Sequence, residues 1–161
     1  MDRLNPTKRE IMESTNYLPL LGRALIAVPF LMSGVGKIAA YEKTIAYIAS
    51  VGLPFAPLGW VVAIVLEVGG GSCLLLGFRV RPVAFGLAVF TLATAVLFHR
   101  NFADQNQMIH FLKNMVIVGG LLQIAHFGAG VYSLDARRLR IQRSAADQLS
   151  GGSTTTTAPP A

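Results

Sequence analysis

The chain of 161 residues has a single cysteine and few charged residues. Cys73 alone cannot form an intramolecular disulfide or a Cys-x-x-Cys pair, which excludes thiol–disulfide exchange within the chain. Charged residues make up 14% of the sequence, against about 25% in a typical soluble domain. Because 53% of the residues are hydrophobic as well, the composition predicts an integral membrane protein of one domain.

The N-terminus lacks the features of a cleavable secretory signal peptide. The first apolar run begins near Leu18, behind a polar segment that contains Arg3, Lys8 and Glu10. No small-residue cleavage site follows a short, isolated apolar core. We therefore expect the first run to be retained as a membrane span.

Four apolar runs approach or reach the length of about 20 residues that a helix needs to cross the hydrocarbon core. They cover about residues 18–36, 58–76, 83–98 and 109–127. We predict an all-α, four-helix membrane bundle over residues 18–135, with a polar tail at 1–17. Residues 136–161 are predicted to be a tail that is basic at first and disordered from Ser144 onward. The mixed segment 38–57 is typical of an interfacial helix.

The net charge of +6 is distributed as the positive-inside rule expects of a membrane protein. Of the fourteen Lys and Arg residues, four (Lys37, Lys43, Arg100 and Lys113) fall on one side of the predicted bundle and the other ten on the opposite side. Both termini and the connection after the second run are therefore predicted to be cytoplasmic. No basic stretch is interleaved with aromatic residues, so nucleic-acid binding is not predicted.

Glu67 lies near the middle of the second run, where an ionisable side chain is costly and normally faces the bundle interior or a cavity. With a helical rise of about 1.5 Å per residue, several other polar residues fall in the same half of the bundle. Lys37 or Lys113 is the predicted counter-ion. The alternative is an ion pair or a protonated carboxyl that only fixes helix register. The predicted ligand-binding residues are Glu67, Lys37, Lys113, Asn114 and His99.

His99 and His110 also permit a haem interpretation, because paired histidines in a membrane bundle can be axial ligands. Both flank a short polar connection at the predicted water boundary, which favours interfacial histidines instead. A metal site at His99, Asp104 and His110 matches no ligand-spacing motif. We predict no intrinsic metal or cofactor. The pocket around Glu67 has the chemistry to hold a quinone headgroup, a small anion or a protonatable substrate.

Taken in order, these segments resemble the DoxX family of small bacterial inner-membrane proteins. The resemblance covers about residues 18–135. It rests on Leu21-Gly22-Arg23, Phe30-Leu31-Met32-Ser33-Gly34-Val35-Gly36-Lys37, Gly52-Leu53-Pro54, Leu66-Glu67-Val68-Gly69-Gly70, Leu97-Phe98-His99, Phe111-Leu112-Lys113-Asn114 and Gly130-Val131-Tyr132-Ser133-Leu134-Asp135.

The resemblance implies a multi-pass protein of the bacterial inner membrane and a link to quinone-dependent redox systems. The family is named after a subunit linked with thiosulfate:quinone oxidoreduction. By this resemblance Arg23, Lys37, Glu67, Lys113 and Asn114 occupy the family's characteristic polar positions. Because a fold alone does not carry an activity, catalytic residues stay unassigned.

Three functions are consistent with these patterns. The first is a redox-linked membrane subunit, accessory to a quinone-linked oxidoreductase, that binds quinone around Glu67 and receives electrons from a partner protein. The second is a small-solute carrier coupled to Glu67 protonation, for which a homo-oligomer is expected. The third is a non-catalytic scaffold that recruits soluble partners through its basic face. In all three cases the protein is embedded in the lipid bilayer.

Overall fold

The computed structural model describes residues 16–151, and side chains up to residue 148. Within this part of the chain every regular element is a helix. The four long helices are α1 (Leu18–Ala39), α3 (Ala56–Leu76), α4 (Val80–Phe98) and α5 (Gln105–Phe127). Two further helices are α2 (Tyr41–Ser50), between α1 and α3, and α6 (Leu134–Gly151), after α5.

The four long helices contain 19 to 23 residues each and are apolar enough to cross a membrane. The predicted all-α membrane bundle is therefore confirmed. Each helix includes the predicted run and extends past it by up to four residues, because residues flanking the run also adopt helical geometry. The side of the membrane on which the termini lie stays a prediction.

The core of the bundle is narrow and is built mainly from small side chains. Ala27, Ala84 and Ala88 are buried between the helices together with Leu74, Leu87 and Leu121. Most of the larger apolar side chains point outward, as expected where lipid and not water surrounds the helices. Helix α5 packs along α4 and has only one fully buried residue, Leu121, so most of its surface faces outward.

One end of the bundle, which we call the Arg23 end, contains the turn between α3 and α4 and the start of α6. Helix α3 stops at Gly77, whose φ of +74° favours glycine. A β-carbon there would collide with the Arg23 guanidinium and with Ser133. Both carboxylate oxygens of Asp135 accept hydrogen bonds from the first amides of α4, at Arg79 (2.8 Å) and Val80 (2.9 Å).

The Arg23 side chain is fully buried at this end. Its guanidinium donates hydrogen bonds to three main-chain carbonyls, those of Pro19 (3.3 Å), Leu74 (3.2 Å) and Tyr132 (2.6 Å). The ring of Tyr132 stacks on that of Tyr17 with centroids 4.6 Å apart. Arg23 thus joins the start of α1, the end of α3 and the segment before α6.

The prediction of disorder from residue 144 onward is wrong up to Gly151, because helix α6 continues to that residue. The predicted disorder depended on threonine, serine and proline, most of which lie in residues 152–161, outside the described residues. The preceding stretch is rich in Ala, Arg, Leu and Gln, which all favour helix.

The predicted tail at 1–17 also lies outside the described residues, apart from 16 and 17. The helix predicted within 38–57 is present as α2.

Candidate functional site

Glu67 lies in a π-helical segment of α3, Val65–Gly70, that interrupts the α-helical hydrogen bonding. Such wide turns are rare and occur frequently at functional sites. Three consecutive glycines, Gly69 to Gly71, end this segment and begin the next α-helical turn. The extra residue in the turn changes the direction in which the side chains around Glu67 point.

Gly34 brings helix α1 into close contact with the π-helical segment. A β-carbon at Gly34 would lie 2.6 Å from Val68 Cγ2 and 3.2 Å from Glu67 Cβ, so a side chain there would require the Val68 side chain or α3 to shift. Lys37 follows Gly34 by about one helical turn and is therefore on the same face of α1. The close approach at Gly34 places the Lys37 ammonium beside the Glu67 carboxylate.

Lys37 and Glu67 form a salt bridge in which Nζ lies 2.8 Å from both Oε1 and Oε2. The ammonium also donates to Ser33 Oγ, at 2.6 Å, so its three N–H groups have three acceptors. The Lys37 side chain is 29% exposed and that of Glu67 is 7% exposed. Trp60 Nε1 donates to the Lys37 carbonyl at 3.0 Å and fixes the end of α1 against α3.

A cavity of about 370 Å³ borders the salt bridge. Its walls come from five helices, α1 to α5, and from Leu53 in the connection between α2 and α3. Helix α2 forms one wall through Thr44, Tyr47 and Ile48. The Tyr47 ring contacts that of Phe98 at the end of α4, with centroids 5.1 Å apart. The polar lining residues are Ser33, Lys37, Thr44, Tyr47, Glu67, Thr94, His99 and Asn114.

Four of the five predicted ligand-binding residues line this one cavity: Glu67, Lys37, His99 and Asn114. Lys113 does not. It precedes Asn114 by one position, and successive residues of an α-helix point about 100° apart, so its side chain lies on the exposed surface of α5. Lys37 is thus the counter-ion of Glu67. That these residues bind a ligand stays a prediction.

The His99 and His110 rings stack on each other with centroids 5.0 Å apart and planes at 21°. His99 Nδ1 is also 2.9 Å from Gln107 Oε1. Axial haem ligands instead direct one nitrogen each toward an iron between them. In the described part of the chain no three His, Cys, Asp or Glu side chains are grouped as a metal would require.

Ser33, Thr44 and Thr94 line the cavity without belonging to the predicted set. Ser33 could have been found from its spacing, because it precedes Lys37 by four residues and so lies on the same helix face. Thr44 and Thr94 bond locally to the carbonyls of Ala40 and Thr91, and no sequence pattern distinguishes them from structural threonines.

Comparison with known proteins identifies the family to which the chain belongs. The DoxX family model matches residues 18–100, which include α1 to α4 and both members of the salt bridge. The chain belongs to the DoxX family. Asn114 on α5 lies beyond the matched residues, so the model covers only part of the cavity lining.

Two relatives from Escherichia coli (strain K12) extend the match. Inner membrane protein YqjF is 44% identical over 116 residues, which cover 72% of this chain and 88% of the relative. Inner membrane protein YphA is 36% identical over 125 residues, 74% of this chain and 89% of the relative. No solved structure matches the chain. With its four apolar helices, this DoxX-family member is a multi-pass inner-membrane protein.

Proposed function

We propose that this protein binds a quinone headgroup, or a small molecule with similar carbonyl acceptors, in the cavity beside the Lys37–Glu67 salt bridge. It would act as the membrane subunit of a quinone-linked redox system. One observation carries the proposal: the salt bridge between the buried Glu67 and the partly exposed Lys37 forms part of a cavity wall within the spans instead of being sealed between helices. Intramembrane ionisable groups at such a cavity usually serve a ligand or a proton.

The cavity lining has the chemistry that a quinone headgroup needs. Lys37 and Asn114 provide N–H donors for the carbonyl oxygens, while Phe90, Leu97 and Phe98 provide apolar surface for the ring. A carbonyl that bonds Lys37 would take the place of Ser33 Oγ, the neutral acceptor of the ammonium. Glu67 would keep its electrostatic contact with Lys37 throughout.

Reduction of the bound quinone to quinol requires two electrons and two protons. The single cysteine of this chain cannot ligate an iron–sulfur cluster, so a redox partner protein is the proposed electron donor. Glu67 is the acidic side chain of the cavity lining, and it is the proposed group through which protons reach the quinone oxygens. The reverse sequence, with the partner as electron acceptor, would oxidise quinol.

Glu67→Gln tests this proposal because it removes the carboxylate and keeps an oxygen that can accept from Lys37. The protein is purified in mild detergent from quinone-containing membranes, and extracted small molecules are quantified by mass spectrometry. Glu42→Gln is the matched control, since Glu42 lies exposed on α2 outside the cavity lining.

We expect stoichiometric quinone in the wild type and in Glu42→Gln, and at least a tenfold lower amount in Glu67→Gln. Thermal unfolding of all three proteins shows whether the loss comes from the site or from the fold. Absence of quinone from a wild type that is fully folded, or equal quinone in all three, would contradict the proposal.

A second candidate function, a scaffold that recruits soluble proteins, is favoured by helix α6. Its arginines, Arg137, Arg138, Arg140 and Arg143, are all exposed at the Arg23 end of the bundle. An acidic partner surface would be attracted there electrostatically. If this is the function, replacing these arginines by Gln abolishes co-purification of the partner, whereas Glu67→Gln leaves it unchanged.

A further inference from the structure

A second cavity, of about 560 Å³, lies at the Arg23 end between the start of α4, the end of α5 and the start of α6. It is remote from the quinone cavity and shares no lining residue with it. Two guanidinium groups line it, those of Arg81 from α4 and Arg138 from α6. Neither group forms an ion pair or a side-chain hydrogen bond within the described residues 16–148.

The backbone and an aromatic ring hold the two guanidinium groups near the cavity. Arg81 lies over Gly128, where φ is +88° and an added β-carbon would be 3.4 Å from Arg81 Nε. Arg138 lies over the Phe78 ring, with Cζ 4.6 Å from the ring centroid. A cation–π contact of this kind positions the group without providing a hydrogen-bond acceptor for its N–H groups.

One acidic residue, Asp135, also lines this cavity, but both of its carboxylate oxygens already accept hydrogen bonds from backbone amides. Its two oxygens accept from the Arg79 and Val80 amides at the N-terminus of α4, where the helix dipole is positive. Among the side chains of residues 16–148, no carboxylate forms an ion pair with Arg81 or Arg138. The cavity keeps an excess of positive charge and a set of unused N–H donors.

Apolar side chains connect this cavity to the lipid-facing surface. Phe127, the last residue of α5, is 74% exposed and lines the cavity beside Leu139. The cavity lies at the end of α5, a helix long and apolar enough to cross a membrane, and the ends of such spans lie near the lipid headgroups. A molecule that fits it has an anionic group for the arginines and an apolar part that continues along Phe127.

We infer that this cavity binds the phosphate of an anionic phospholipid headgroup through Arg81 and Arg138. Guanidinium groups bind phosphate oxygens in a bidentate manner, and basic pockets between spans are known to take such headgroups. The shared chemistry is a phosphate, which a free phosphate ion also offers. The apolar surface at Phe127 favours the lipid.

The test replaces both arginines, Arg81→Gln and Arg138→Gln, in the full chain. Lipid binding is titrated by native mass spectrometry, with phosphatidylglycerol as the anionic probe and phosphatidylcholine as the zwitterionic one. The matched control is Arg137→Gln with Arg143→Gln, which removes the same charge from exposed positions outside the cavity. Because all four side chains are exposed, the fold should survive, and thermal unfolding checks this.

We expect the cavity variant to bind phosphatidylglycerol about 30-fold more weakly than the wild type, the product of two lost arginine contacts. The control should stay within about threefold of the wild type, because its arginines contribute only diffuse attraction. An equal loss in both variants would overturn the inference in favour of non-specific electrostatics. Displacement of the lipid by millimolar inorganic phosphate would overturn the lipid assignment in favour of free phosphate.

Discussion

Helix α1 carries a basic side chain near each of its ends, and the two are satisfied in different ways. Arg23 is fully buried and donates to the carbonyls of Pro19, Leu74 and Tyr132. Lys37 is partly exposed and bonds two side chains, those of Glu67 and Ser33, at the wall of a cavity. One cation is held by the backbone, and the other by side chains.

This difference separates a structural charge from a charge that is available to a ligand. Main-chain carbonyls are fixed by the helices to which they belong, so the acceptors of Arg23 cannot be exchanged for those of another molecule. The Ser33 hydroxyl can rotate away, and the cavity offers space for a replacement acceptor beside Lys37. Burial of a charge alone would not distinguish the two.

Arg23→Met should produce the largest loss of stability. It leaves three carbonyls without their charged donor, and we expect a loss of about 3 kcal/mol or more in the free energy of unfolding. The measurement is unfolding in mixed micelles. The control is Arg79→Met, because the Arg79 side chain is exposed at the same end. If the two variants unfold with the same free energy, Arg23 contributes no more to stability than an exposed arginine, and the proposed structural role of Arg23 is contradicted.

Gly34→Val should have an intermediate effect. The new side chain collides with Val68 and Glu67, and overpacking of this kind costs about 1–3 kcal/mol. Separation of α1 from the π-helical segment should also lengthen the Lys37–Glu67 contact and reduce the amount of bound small molecule. Gly36→Val is the control, since a β-carbon at Gly36 meets no atom within 4 Å. Similar unfolding of the two variants would show that close packing at Gly34 is unimportant.

The double variant Lys37→Met, Glu67→Leu should have the smallest effect on stability. Replacing even a fully buried ion pair by apolar residues of similar size is often neutral, and this pair is buried only at Glu67, so we expect a change below about 1 kcal/mol. Bound quinone should nevertheless disappear from the purified protein. A loss of stability comparable to that of Arg23→Met would make the salt bridge structural and contradict its assignment to a ligand site.

The sequence predicts the four spans well because apolar length is a strong physical constraint in a bilayer. It also predicts a lysine beside Glu67, since depth along the spans follows from residue counting, but it leaves Lys37 and Lys113 as alternatives, of which the structure selects Lys37. Rotation about a helix axis is harder to predict, as Lys113 shows: its depth is compatible with the site, but its direction is not. The π-helical turn at Glu67 packs closely against Gly34, and no local propensity predicts either the turn or this contact.

The hydrogen bonds of Asp135 determine when the Arg23 end of the bundle can form during translation. Residue 135 leaves the ribosome after all four spans, yet its carboxylate caps the start of α4, and its own amide donates to the Gly77 carbonyl at 2.9 Å. Tyr132 is also synthesised after all four spans, and its carbonyl accepts one of the three hydrogen bonds from Arg23 in the first span. The Arg23 end of the bundle can therefore be completed only after the last span has been synthesised.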